Sequence, residues 1–120
     1  FYTRKPKVSS SFEQVMKKVI SRKQYFLVYL KTGPNQTEDE KTNNEIQKNH
    51  LLYLFKLRDE DKMPIFGSLF DESDIKGICI YNVATQEEAL KLASNDPAVK
   101  SGRFVVEVHP WLGLPGDGVH

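Results

Sequence analysis

The chain lacks several features that would restrict where it works. It has a single cysteine, Cys79, which cannot form an internal disulfide, and no run approaching the roughly 18 apolar residues that a transmembrane helix needs. It begins with Phe1 instead of methionine, so a signal peptide or a longer natural N-terminus can precede it. We therefore expect a soluble protein, cytoplasmic by default, and keep export open as the alternative.

Several active-site motifs are also missing. Neither the phosphate-binding patterns G-x-x-x-x-G-K-[ST] and G-x-G-x-x-G nor the serine-hydrolase pattern G-x-S-x-G occurs. The three histidines, at positions 50, 109 and 120, have no close-spaced histidine or cysteine partner, which argues against a structural zinc site. We expect neither a metal nor a cofactor.

The composition is that of one globular domain with an uneven distribution of charge. The chain has 120 residues, of which 39% are hydrophobic and 28% are charged, and its formal net charge is +1. Residues 1–24 carry seven cations against one acid, whereas residues 25–120 carry ten cations against fifteen acids. The main part of the chain is therefore acidic, and we expect no nucleic-acid partner. We divide the chain into a basic extension over 1–24, a main domain over 25–111 and a Gly/Pro-rich tail over 112–120.

The basic extension contains the pattern of an amphipathic helix. Ser10 and Glu13 have the spacing of a capping box, which predicts a helix over about 11–22. Its hydrophobic stripe consists of Phe12, Val15, Met16, Val19 and Ile20. We favour an arm that packs this stripe on the main domain, because the stripe is short and has no tryptophan. A helix that lies in a membrane interface is the alternative.

The main domain alternates strand and helix patterns. Strands are predicted over 25–30, 65–70, 77–83 and 104–108, and helices over 38–57 and 86–94. Gly67 interrupts the second strand and predicts a kink or bulge there. Thr85 and Glu88 form a second capping-box pattern, and Pro97 is predicted to end the helix that follows. The chain from Pro110 onward is predicted to be loop.

This order of elements predicts an α+β fold of the ferredoxin-like, split βαββαβ type, with two helices on one face of an antiparallel sheet. Helices on one side leave the other face of the sheet uncovered. Both alternating sets of strand side chains are nevertheless apolar, as in the segment YFLVYL over 25–30. We therefore predict a homodimer in which two sheets pack face to face.

The stretch from Tyr25 to Trp111 resembles the YCII-related (YciI-like) domain family. The resemblance rests on a histidine in the first long helix, a glycine turn, the helix motif T-x-E-E-A, and the segments D-P-A-V-K-S-G and V-H-P-W. Residue by residue, it matches His50 to the helical histidine, Gly67 to the glycine turn, Gly77 to the glycine at the third strand, and Asp96-Pro97 to the Asp-Pro motif. The usual Gly-Pro turn is Gly67-Ser68 here.

The family resemblance implies a dimeric α+β barrel and a small-molecule site. The family's histidine and aspartate are read as an active-site pair, which implies that His50 and Asp96 are catalytic. One relative is a dehydrochlorinase that acts on a chlorinated hydroxyhydroquinone. For substrate binding, the candidates are Gly67, Ser68, Asp71, Tyr29 and His109.

The residues themselves also make His50 a candidate. It lies on the apolar stripe of the predicted 38–57 helix, where a nearby carboxylate would fix its tautomer and support acid/base chemistry. Asp96 is the first choice for that carboxylate, with Asp71 or Asp74 as substitutes. The structural alternative is a core histidine bonded to a backbone carbonyl, with Asp96 merely capping the turn before Pro97.

Other polar residues have mainly structural interpretations. His109 either lines the same pocket or packs on Trp111, and we favour packing. A further set could bind an anionic or phenolic ligand but is explained more simply as half-buried structural residues: Tyr29, Tyr53, Tyr81 and Arg103.

Two classes of function fit these observations. The first is a small cofactor-independent enzyme of lyase, isomerase or dehydrochlorinase type, in which His50 and Asp96 move a proton on a cyclic or phenolic molecule. The second is a non-catalytic dimeric module that binds a small ligand or a partner. Haem or oxygen chemistry, which occurs in other dimeric α+β barrels, is a more distant third.

Overall fold

The computed structural model describes residues 11–120 and confirms the α+β architecture. Its four strands form one antiparallel sheet in the order β2-β3-β1-β4. The elements in chain order are α1 (Phe12–Ile20), β1 (Lys23–Thr32), α2 (Glu40–Asp59), β2 (Ile65–Ser68), β3 (Ile75–Tyr81), α3 (Gln86–Ser94), α4 (Pro97–Lys100) and β4 (Phe104–Gly113).

The core lies between the helices and one face of the sheet, which we call the inner face. Strand side chains point alternately to the two faces, so every second residue of β1 and β3 is buried against α2 and α3. The buried set from these strands is Phe26, Val28, Leu30, Cys79 and Tyr81. Helix α2 contributes Leu54 and Leu57, and α3 contributes Ala89 and Ala93, whose small side chains allow close approach to the sheet.

The outer face of the sheet has no helix of the described chain on it and is largely hydrophobic. It includes Tyr25, Leu27, Tyr29 and Lys31 from β1, Ile65 from β2, Ile78 and Ile80 from β3, and Val105, Glu107, His109 and Trp111 from β4. Val105 and Trp111 remain 43% and 41% exposed. The apolar character of both faces, which the sequence predicts, is therefore present in the structure.

Helix α1 differs from the predicted packing arm. Its N-cap is Ser11, which forms a capping box with Gln14, whereas the predicted cap Ser10 lies outside the described residues. No side chain of α1 is buried, and Phe12 and Ile20 remain 78% and 80% exposed. The prediction that the stripe packs on the main domain is therefore wrong for the described residues. No other helix or strand among them buries the apolar side chains of α1.

The last strand is twice as long as predicted. It continues through Pro110 and Trp111 to Gly113 and pairs with β1 along its whole length. Proline cannot donate a backbone hydrogen bond, but β4 is an edge strand, and one side of an edge strand has no partner to receive one. The predicted loop from Pro110 is thus corrected to strand as far as Gly113.

Two other local predictions change. Gly67 lies in regular pairing with Ile78, and the irregularity of the sheet falls instead between Leu30 and Lys31 in β1. Helix α3 has the predicted bounds, with Thr85 as its N-cap. The prediction that Pro97 ends it is wrong, because the helix ends at Ser94 with Asn95 as its C-cap. Pro97 begins the short helix α4, because proline is favoured in the first turn, where no N–H is needed.

The loop after β1 fits tightly against the turn before β4. The N–H of Gly33 donates to the carbonyl of Arg103 at 2.8 Å, and the N–H of Asn35 donates to the carbonyl of Gly102 at 3.0 Å. A Cβ at position 33 would overlap the carbonyl oxygen of Gly102 and lie 2.8 Å from the carbonyl carbon of Arg103. Gly102 has φ +82°, which favours glycine there as well. This contact holds the start of β4 beside the middle of α2, where Phe104 meets His50.

We predict that Gly33→Ala lowers the free energy of unfolding by about 2 kcal/mol, because the added methyl group forces the two backbone segments apart. Urea denaturation followed by circular dichroism measures this change. Gly67→Ala is the matched control, since a Cβ there meets nothing within 4 Å, and it should be neutral or slightly stabilising. Equal stability of the two variants would contradict the close contact at Gly33.

Candidate active site

A cavity of about 330 Å³ lies between α2, the inner face of the sheet and the start of β4. Its floor is the sheet and its wall is the face of α2 that carries His50. Residues from the loop after β1 and from the turn before β4 complete the rim. The lining residues are Leu30, Thr32, Gln36, Gln47, His50, Leu51, Leu54, Phe66, Gly67, Ser68, Lys76, Gly77, Cys79, Arg103 and Phe104.

His50 and Asp96 form a buried hydrogen-bonded pair beside this cavity. The Nδ1 atom of His50 lies 2.7 Å from Oδ2 of Asp96, and the two residues are only 6% and 1% exposed. The interaction joins α2 to the turn between α3 and α4. His50 and Asp96 are 46 residues apart in the chain. The predicted partner of His50 is therefore in contact with it, and Asp71 and Asp74 are not needed for that role.

Asp96 makes two interactions at once. Its Oδ1 accepts a hydrogen bond of 2.9 Å from the N–H of Ala98 and so caps α4, while Oδ2 accepts from His50. Asp96 therefore caps the turn and is also the partner of His50, whereas the alternative of a histidine bonded to a backbone carbonyl, with Asp96 merely a cap, does not describe the structure. A carboxylate has two acceptor oxygens, so a single buried side chain can satisfy both donors.

The hydrogen bond to Asp96 orients the imidazole ring of His50. Because a carboxylate can only accept, Nδ1 carries a proton, and the neutral ring then has an unprotonated Nε2. Within residues 11–120, Nε2 makes no hydrogen bond to another protein group, and His50 lines the cavity. The ring also meets the edge of Phe104 with a centroid separation of 5.5 Å. The site therefore offers a ligand an oriented nitrogen that can accept a proton.

The polar rim of the cavity is cationic. Lys76 and Arg103 line it, and no aspartate or glutamate belongs to the described lining residues. Nη1 of Arg103 is buried and has no hydrogen-bond partner within the described part of the chain. The sequence offers Arg103 only as one of several half-buried polar residues. Its placement here depends on the contact of Gly33 with the turn before β4.

The other polar residues near the pair have structural roles. Burial raises the pKa of Cys79 to about 12, with a smaller contribution from the nearby Asp96 carboxylate, so the thiol stays protonated at neutral pH and is a poor nucleophile. Burial, with Asp96 and Glu60 nearby, also raises the pKa of the Tyr53 hydroxyl, which donates to the carbonyl of Leu92 at 2.7 Å. The pKa of Tyr81 is raised by its burial in the core.

Three predicted substrate-binding residues lie outside this cavity. Tyr29 and His109 contact each other on the outer face of the sheet, with ring centroids 5.5 Å apart, because their strand positions alternate with those of the inner face. Asp71 is exposed, and its Oδ1 accepts from the N–H of Ser73 in a polar turn. The predicted positions Gly67 and Ser68 do line the cavity. His109 is also hydrogen-bonded to Glu107 at 2.6 Å, which lowers the pKa of that exposed carboxyl.

The described residues contain neither a cluster of metal ligands nor a membrane-spanning helix. Within 11–120 no group of three or more His, Cys, Asp or Glu residues is arranged to hold a metal ion. None of the helices in the same range is long and apolar enough to cross a membrane.

The fold and the site together define a class: an α+β protein with a four-stranded antiparallel sheet and a buried His–Asp pair beside a small cavity. The YCII-related domain model matches residues 25–112, and the chain belongs to that family. No curated protein matches the chain significantly.

One similar solved structure is the 5-chloro-2-hydroxyhydroquinone dehydrochlorinase TftG from Burkholderia phenoliruptrix AC1100, in complex with 2,5-dihydroxybenzoquinone. It is 24% identical to this chain, with a TM-score of 0.54, and the alignment covers 72% of this chain and 92% of that one. At this identity the similarity supports the fold.

We predict that Asp96→Asn reverses the tautomer of His50. The Ala98 N–H should keep the amide oxygen of the new side chain as its cap, which turns the amide NH₂ toward Nδ1. Nδ1 then accepts and the proton moves to Nε2. The ring ¹⁵N chemical shifts of labelled protein measure this change directly. The exposed Asp59→Asn should leave the shifts unaltered, and identical tautomers in wild type and Asp96→Asn would show that Asp96 does not set the ring's protonation.

Proposed function

We propose that this protein is a cofactor-independent enzyme in which His50 transfers a proton on a small cyclic or phenolic molecule. The observation that carries the proposal is the buried hydrogen bond of 2.7 Å between His50 and Asp96 at the edge of the cavity. A general base needs a proton-accepting atom within reach of the substrate and a partner that stabilises the charge it acquires. Nε2 of His50 and the carboxylate of Asp96 meet these two needs.

The proposed reaction begins when Nε2 removes a proton from a substrate hydroxyl, or from a carbon next to a carbonyl. In an elimination the leaving group, such as chloride, is on a saturated carbon, as in the keto tautomer of a chlorinated hydroxyhydroquinone. The electron pair left on the substrate moves toward that carbon and forms a new double bond, chloride departs with its bonding pair, and His50 later gives the proton to solvent. If no leaving group is present, the pair takes the proton back from His50 at a different atom, which is an isomerisation. In both cases Asp96 stabilises the imidazolium that forms between the two steps.

The size of the cavity supports a small substrate. A volume of about 330 Å³ is at the lower end of the range for small-molecule sites and suits a single ring with its substituents. The cavity also combines apolar lining residues, including Leu51, Leu54 and Phe66, with a few polar groups. The dehydrochlorinase similar in structure acts on a ring of this size, which makes chlorinated hydroxyhydroquinones our first substrates to test.

We predict that His50→Gln lowers kcat by about 100-fold or more on such a substrate, because it removes the proton acceptor. Chloride release and ultraviolet absorbance would be followed with 5-chloro-2-hydroxyhydroquinone and with a muconolactone. Asp96→Asn should also lower kcat, because Nε2 of His50 would already carry a proton in that variant. The exposed Asp59→Asn should match the wild type.

Two results would contradict the enzymatic proposal. The first is full activity in His50→Gln. The second is saturable binding of the same compounds to the wild type without any turnover, which would favour the non-catalytic ligand-binding module.

We further propose that the protein is a homodimer in which the outer faces of two sheets pack together. The outer face exposes Val105 and Trp111 on β4 beside half-buried apolar side chains of β1 and β3, and such a patch is rarely left in water by a monomer. A second copy presents the same face, so the contact is self-complementary under two-fold symmetry. Membership of the YCII-related family supports the same arrangement.

Light scattering coupled to gel filtration should give twice the chain mass of 13.8 kDa at micromolar concentration. Val105→Glu places a charge on the outer face and should shift the mass toward the monomer. Phe70→Glu is the matched control, because Phe70 is fully exposed and lies beyond the end of β2, outside the sheet, and it should leave the dimer intact. A monomer mass for the wild type would overturn the proposal.

A further inference from the structure

Arg103 is a charged residue whose hydrogen bonds are incomplete at the cavity. Its Nη1 is buried, with no hydrogen-bond partner within residues 11–120, although the residue lines the cavity. A buried donor without a partner is costly, and the cost is larger when the group is charged. Because Arg103 also lines the cavity, a rotation of its guanidinium toward a ligand that supplies an acceptor would remove this cost.

The surroundings of Arg103 define the chemistry of that acceptor. The second cation of the lining is Lys76, and no carboxylate lines the described cavity to neutralise either charge. The remaining polar groups are neutral, namely the amides of Gln36 and Gln47 and the hydroxyls of Thr32 and Ser68. The nearby Asp96 carboxylate is hydrogen-bonded to His50 and does not line the cavity, so the charged groups that a ligand meets directly are two cations, which favour an anion over a neutral molecule of the same shape.

The main chain at Arg103 is held on both sides. Its carbonyl accepts from the N–H of Gly33 at 2.8 Å and from Nε2 of Gln36 at 2.9 Å, and its N–H donates to Oγ of Ser101 at 3.4 Å. A guanidinium on a fixed backbone loses less conformational entropy when a ligand binds. The tight loop at Gly33 is thus part of the arrangement that presents Arg103.

Arg103 and His50 both lie against the ring of Phe104. The Cζ atom of Arg103 is 5.7 Å from the centroid of that ring, and the imidazole of His50 is 5.5 Å from it. Both residues also line the same cavity. A single small molecule in the cavity can place one substituent at Arg103 and another at His50.

From these contacts we infer that Arg103 binds an anionic oxygen of the substrate, a carboxylate or an ionised phenol, while the atom that loses the proton faces His50. This inference rests on the proposed function and names the class of its substrate. A guanidinium forms short charge-assisted hydrogen bonds with either anion, and it stays charged at every working pH. Arg103 would then decide which ligands bind and how they are oriented, and His50 would carry out the proton transfer.

Matched pairs of ligands test the inference without knowledge of the substrate. Benzoate is compared with benzamide for the carboxylate arm, and 4-nitrophenolate is compared with 4-nitroanisole for the phenolate arm. Titrations of ¹⁵N-labelled protein follow the Nε–H signal of Arg103. We expect one anion or both to bind at least about tenfold more tightly than the neutral partner and to shift that signal.

Variants separate this inference from the proposed function. Arg103→Gln should abolish the preference for the anion, whereas Arg22→Gln, which removes an exposed arginine outside the cavity, should retain it. His50→Gln should also retain the preference, because His50 is assigned to proton transfer. Loss of activity in His50→Gln with anion binding intact supports both statements, and anion binding without any turnover leaves the inference standing while the proposed reaction fails.

A stability measurement distinguishes ligand binding from a structural role of Arg103. Since Nη1 is unpaired within the described residues, Arg103→Gln should melt within a few degrees of the wild type, and benzoate should raise the melting temperature of the wild type more than that of the variant. If Arg103→Gln does not fold, Arg103→Lys is used in its place. Lysine keeps the charge but lacks the several N–H donors that a guanidinium presents in one plane, so this variant should bind the anion several-fold more weakly than the wild type.

Three outcomes would overturn the inference. The first is equal affinity of the wild type for the anions and their neutral partners. The second is an unchanged anion preference in Arg103→Gln or, where that variant fails to fold, unchanged affinity in Arg103→Lys. The third is the absence of saturable binding of both anions to the wild type.

Discussion

The hydrogen bond between His50 and Asp96 is the interaction on which the site depends. It connects the middle of α2 to the turn between α3 and α4, and it does so in a buried position where neither group has access to much water. Each partner satisfies the other, which is what allows two ionisable side chains to remain in the core. The same bond fixes which nitrogen of the imidazole is left for a ligand. Packing and chemistry are therefore linked through one contact.

The second constraint is the tight approach of the loop after β1 to the turn before β4. Gly33 permits this approach because it has no side chain, and Gly102 permits the left-handed turn that precedes Arg103. Together they place the start of β4, and with it Phe104 and Arg103, opposite α2. The cavity exists because the long helix and the strand are held apart at this end, while small side chains such as Ala89 and Ala93 allow close packing of α3 on the sheet.

The accuracy of the sequence predictions follows from how local each signal is. Helix α3 has its predicted bounds because Thr85 caps it through a hydrogen bond to a residue three positions away. The full length of β4 was missed because Pro110 normally ends a strand, and only the sheet order shows that this strand is an edge. Tyr29 and His109 were assigned to the site for their chemistry, but the period of two along a strand places them on the other face.

The sequence by itself determined the order and type of the four strands and the three longer helices, the apolar character of both sheet faces and the family, because these depend on the spacing of residues along the chain. It also singled out His50 and Asp96, through the position of the histidine on a hydrophobic helix face and the resemblance of the Asp-Pro motif. Only the tertiary structure decided that these two side chains meet, that Arg103 lines the same cavity with Nη1 buried and unbonded within residues 11–120, and that α1 leaves its stripe exposed. Distances between residues far apart in the chain depend on how all the helices and strands pack at once, and no local pattern contains that information.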